Sequence, residues 1–155
     1  MNKREKSLSV DKAGFTLIEL LVVITIIGIL SAIIINYLTL ARGKGNDTKV
    51  RSQLNSARSS AELFYNSSNS YNGTVGNIAG PCDTANSMFT DTASGMVKFT
   101  SQSDYPNGAT LTCYSTTGAY AISALLPGVG GTNSWCVDSR GSAKLRSAPI
   151  NSPAC

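Results

Sequence analysis

Apolar residues run almost unbroken from position 15 to position 40, and no comparable run occurs elsewhere in the 155-residue chain. The run is 26 residues long, and a helix needs about 20 residues to cross a hydrocarbon layer roughly 30 Å thick. It carries one charge, Glu19, and the next is Arg42. A carboxylate within a membrane segment costs about 2.5 kcal/mol or more unless it is paired or reaches the interface. What Glu19 pairs with is therefore the question on which function turns.

Downstream the periodicity changes twice. Residues 41–48, with two glycines, Arg42 and Lys44, read as a membrane exit where the helix weakens. Val50, Leu54, Ala57, Ala61 and Phe64 then recur at spacings of three and four, which is the apolar face of an amphipathic helix ending near Asn66. Residues 66–80 are loop by composition. Met88, Phe89, Met96 and Val97 sit at helical spacing, so 87–99 reads as a short helix whose apolar stripe is core. After the turn at Pro106-Asn107-Gly108 the period becomes two. Strands are predicted at 109–114, 119–126, Ser134–Asp138 and Ala143–Arg146, joined by turns at 115–118, 128–131 and 139–142. The fold class is α+β: a long N-terminal helix, half membrane and half amphipathic, packed on a small antiparallel sheet of about four strands.

Charge and composition sharpen this. The net charge is +4, and residues 1–14 hold Lys3, Arg4, Lys6 and Lys12 against Glu5 and Asp11. A basic segment before an apolar run stays on the cytoplasmic side, so the C-terminal part is exported. The apolar run is long and a good small-residue cleavage site is missing after it, which favours a retained anchor over a cleaved secretory signal. The four cysteines, Cys82, Cys113, Cys136 and Cys155, all follow the run, as suits an oxidising exterior. Spacing alone leaves all three pairings open. The chain has no histidine, which removes Ser-His and Cys-His catalysis and His-ligated metals. No C-x-x-C, phosphate loop or paired catalytic carboxylates occur. Asp83, Asp91, Asp104 and Asp138 are scattered, so no metal or other cofactor is expected. Sequons at Asn46, Asn66 and Asn72 are uninformative in so Asn- and Ser-rich a chain.

The string Lys12-Ala13-Gly14-Phe15-Thr16-Leu17-Ile18-Glu19-Leu20-Leu21-Val22-Val23-Ile24 resembles the class III signal of type IV prepilins and pseudopilins, and the likeness extends to Ala32. The resemblance implies a pilin fold. It implies cleavage between Gly14 and Phe15 by the prepilin peptidase, N-methylation of Phe15, and Glu19 as the assembly carboxylate. The α-amine freed on Phe15 is mostly cationic, with an intrinsic pKa near about 7.7–8.0. In a staggered stack Glu19 of one subunit could meet the Phe15 amine of the next and neutralise both charges. Many family members have a proline where this chain has Asn36, so a kink there is not implied. Gly28 either eases local unwinding or permits close helix packing. As in many pilins, Cys136–Cys155 would bound a C-terminal segment, and Cys82 would then pair with Cys113.

The organisation that follows is a leader at 1–14, a transmembrane and filament-core helix at 15–40, its amphipathic half at 41–66, and a stapled globular domain at 67–155. The expected protein is a non-enzymatic structural pilin. Its partners would be itself as a helical homopolymer, other pilins, the prepilin peptidase and methylase, the inner-membrane assembly platform and the membrane. It would be a single-pass cytoplasmic membrane protein with its C-terminal domain outside, then part of an extracellular pilus or periplasmic pseudopilus. The alternatives are a type II secretion pseudopilin, against which the missing C-terminal acidic cluster argues, a DNA-binding minor pilin using Arg140, Lys144 and Arg146, and a bitopic signal-anchored ectodomain.

Overall fold

A computed structural model describes residues 14–155. Helix α1 spans Leu17–Ser68, and five strands follow: β1 Ile78–Gly80, β2 Leu111–Ser115, β3 Tyr120–Leu125, β4 Ser134–Asp138 and β5 Ala143–Arg146. A four-residue helix, α2 Val97–Thr100, and single 3-10 turns at Met88–Thr90, Gln102–Asp104 and Pro127–Val129 fill the connections. The chain divides into two compact units, Met1–Leu38 and Thr39–Cys155.

In the first unit the described helix is apolar on every side, and its large side chains from Phe15 to Leu38 are all exposed. By length and composition it can cross a membrane. The leader predicted at 1–14 lies outside the described residues except for Gly14.

The second unit is a three-layer arrangement. The sheet is an antiparallel meander in the order β1-β2-β3-β4-β5. Alternation along each strand sends side chains to opposite faces. Leu111, Cys113, Tyr120, Ile122, Ala124 and Val137 face one way and pack with Val50, Leu54, Ala57, Ala61 and Phe64 of α1. Full burial of a Val, Leu or Phe side chain stabilises by about 1.5–3 kcal/mol, so this seam dominates the domain. The opposite face buries Ala121 and Cys136 beneath Ile150 of the C-terminal tail. The tail is held by Ser134 Oγ donating to Ala148 O (2.8 Å), Ile150 N to Ser123 Oγ (3.2 Å) and Cys155 N to Asp138 Oδ2 (2.8 Å).

Three expectations need correction. The sheet has five strands, because Ile78–Gly80, expected as loop, pairs with β2 from Ile78↔Ser115 to Gly80↔Cys113. The single helix expected over 87–99 is a 3-10 turn and α2, interrupted at Gly95 with φ +75. Its Met88, Phe89 and Met96 are nevertheless core. The helix also continues through 41–48 instead of weakening there. Gly43 is not a breaker but a contact: a Cβ on it would meet Gly128 Cα at 3.0 Å.

Candidate functional site

The first turn of α1 places the candidate residues. Phe15 is 81% exposed and Glu19 is exposed on the same apolar surface. Within the chain Glu19 is engaged by Thr16. Its Oε2 accepts from Thr16 N at 2.9 Å and from Thr16 Oγ1 at 2.7 Å, while Glu19 N donates back to Thr16 Oγ1 at 3.3 Å. This is a reciprocal capping box, which satisfies orphan N–H groups at a helix start. It holds the carboxylate back toward Phe15 through short, charge-assisted bonds.

Thr16 was missed by the reading from sequence, although the signal was present. Thr16-Leu17-Ile18-Glu19 matches the S/T-x-x-E pattern before an apolar run. Gly28 and Asn36 both fall inside α1, which is continuous through them. A Cβ on Gly28 would meet nothing within 4 Å.

The cysteines pair as Cys82–Cys113 and Cys136–Cys155. The first bond lies in the main core facing α1, and the second ties the tail across the other sheet face. The three cations considered for nucleic acid do not form one free set. Arg140 and Lys144 are exposed, but Arg146 Nη1 donates to the Cys155 carbonyl.

Asp138 organises the β4–β5 turn. Its Oδ1 accepts from Arg140 N (3.0 Å) and Ser142 N (2.9 Å), and its Oδ2 takes Cys155 N. Burial pushes its pKa up, but these backbone donors together outweigh that and hold it below the usual carboxylate value.

Comparison with known proteins agrees with the first turn. Residues 11–35 match the prokaryotic N-terminal methylation motif. Over 58 residues, 37% of this chain, the sequence is 52% identical to the type IV wide pilus major component PilA4 of Thermus thermophilus. The aligned stretch spans 44% of that relative's length. No solved structure matches the chain. What this chain shares with that pilus component and with the methylation motif is thus its N-terminal part, the stretch that carries Phe15, Glu19 and the exposed apolar helix.

Proposed function

We propose that this chain is a structural subunit of a type IV pilus, processed at Gly14-Phe15 and assembled through its apolar helix. The prepilin peptidase would cut after Gly14 and methylate the new amine on Phe15. The mature subunit would wait in the cytoplasmic membrane with 67–155 outside, and then enter a helical homopolymer, with other pilins, on an inner-membrane assembly platform. Helix 15–40 would form the filament core, 41–66 would carry the sheet, and Gly28 and Asn36 would be the positions at which the helix can yield.

The observation that carries this reading is the exposed carboxylate of Glu19 one turn from Phe15 on an otherwise apolar helix. In hydrocarbon such a charge needs a counter-charge. Oε2 is taken up by Thr16, and a neighbour's methylated Phe15 amine would complete the set. The relative's name, a major component of a wide type IV pilus, favours a pilus over a secretion pseudopilus.

Intact-mass and N-terminal analysis of the protein from its own host tests this. The expected chain begins at N-methyl-Phe15 and carries two disulfides. A chain starting at Met1, or beyond residue 40, would refute the reading. Glu19→Val should leave cleavage intact and block assembly, and normal filaments of that variant alone would refute the pairing.

A further inference from the structure

Between the helix and the β4–β5 turn lies an open cleft of about 540 Å³, within the range of small-ligand sites. Arg58, Glu62 and Asn55 line it from α1, and Arg140 and Ser139 from the turn. The turn is possible because Gly141 adopts φ +87, and it brings the backbone close to the helix: a Cβ on Gly141 would stand 3.4 Å from Arg58 Nη2.

The charges in this cleft are unevenly committed. Asp138 also lines it, but its two oxygens accept three backbone N–H groups. Glu62 Oε1 accepts from Tyr71 Oη at 2.9 Å. Burial, then the Glu62 carboxylate, pushes the Tyr71 hydroxyl up to about 12, so it remains the donor. By contrast, among the described residues neither the Arg58 nor the Arg140 guanidinium hydrogen-bonds or ion-pairs with a protein group. Two planar, five-donor cations therefore face a hydrophilic cleft in which both Asp138 oxygens and Glu62 Oε1 already accept internal donors, leaving Glu62 Oε2 as its open carboxylate acceptor.

We propose that this cleft binds a sugar acid, a hydroxylated carboxylate of the uronic-acid class, through Arg58 and Arg140. A guanidinium matches a carboxylate in two parallel hydrogen bonds. The remaining groups select for hydroxyls. Glu62 is exposed, so its Oε2 can accept from a ligand hydroxyl, and Asn55 and Ser59 offer both kinds of group. A phosphodiester or sulfate presents acceptors only and gives Glu62 Oε2 no hydroxyl to accept from, so the acid favours a hydroxylated anion over them. A neutral sugar would leave both guanidiniums unpaired.

The test uses the full chain in detergent micelles, where binding is separate from cleavage and filament formation. Trigalacturonate is titrated calorimetrically against wild type, Arg58→Gln, Arg140→Gln and the distant control Lys98→Gln. The expected result is saturable binding that weakens by about tenfold or more in each arginine variant, the scale of one lost charge-assisted bond, and is unchanged in Lys98→Gln. A neutral trisaccharide and inorganic sulfate should each bind about tenfold more weakly or worse, for the same reason. Arg140 is exposed, so its variant preserves the fold even if Arg58→Gln does not. Trigalacturonate bound no better than the neutral sugar, matched by sulfate, or indifferent to Arg140→Gln would overturn the proposal.

Discussion

The backbone of Gly128 lies against that of Gly43: a Cβ on Gly128 would stand 2.3 Å from the Gly43 carbonyl oxygen. Beside this contact, buried Asp47 accepts Gly128 N at 2.8 Å through Oδ1. Two glycines and one carboxylate thus clamp the loop after β3 onto the helix. Gly128→Ala must separate the two backbones, and overpacking of this kind costs about 1–3 kcal/mol. Gly45→Ala, two residues along the helix from Gly43, meets nothing within 4 Å and should stabilise by about 0.5–1 kcal/mol. Urea unfolding followed by the single tryptophan, Trp135, which packs at the edge of the core, measures both. Equal effects of the two substitutions would show that the clamp is not tight.

Much of this arrangement was legible in advance, and the reasons differ by element. The α1 seam was readable because Val50, Leu54, Ala57, Ala61 and Phe64 form a single stripe, and all five are buried. Strands β4 and β5 were readable at their ends because turn residues bracket them. Strand β1 was not, since Ile78-Ala79-Gly80 has no alternation and exists only through pairing with β2. Gly43 was misread because helix propensity is local, whereas its partner Gly128 is remote in sequence. The cleft at Arg58 and Arg140 shows no pattern in sequence for the same reason.

Asp138 makes part of the stability pH-dependent. Its pKa is lowered in the folded state, so the carboxylate contributes fully above the unfolded value near about 3.9. That contribution is lost as pH falls through the lower folded value. Asp91, lowered by Ser94 through its side chain and backbone, adds to the same window. Asp138→Asn should cost about 1–3 kcal/mol at neutral pH, where charged acceptors are replaced by a neutral one. Below about pH 4 the difference from wild type should shrink. A constant difference across this range in unfolding titrations would disprove the assignment.

Thr16 should set the order of the first turn of α1. Thr16→Val removes the hydroxyl that both accepts from Glu19 N and donates to Glu19 Oε2. Loss of an N-cap costs about 1 kcal/mol, so amides of the first turn should exchange roughly fivefold faster. Thr16→Ser keeps the hydroxyl and should restore protection. Hydrogen exchange in micelles reads this directly, and unchanged protection in Thr16→Val would mean the capping box carries no weight.

The two disulfides should differ in kind as well as in size. Cys82–Cys113 closes 31 residues and Cys136–Cys155 closes 19. Chain entropy alone assigns them about 4 and about 3 kcal/mol, respectively. Their positions separate the consequences further. Cys82 and Cys113 lie in the core under α1, so replacing both by serine lowers the stability of the whole domain and leaves two hydroxyls in an apolar setting, an added cost of about 1–3 kcal/mol each. Cys136–Cys155 instead pins the tail over Ala121 and positions Cys155 N against Asp138. Replacing that pair should free the tail from about Ala148 onward while the α1 seam stays packed. Limited proteolysis should therefore trim the Cys136→Ser/Cys155→Ser tail under conditions in which wild type resists, with Trp135 fluorescence still native. A tail that stays protected without its disulfide would show that Ile150 and the hydrogen bonds to Ser123 and Asp138 hold it unaided.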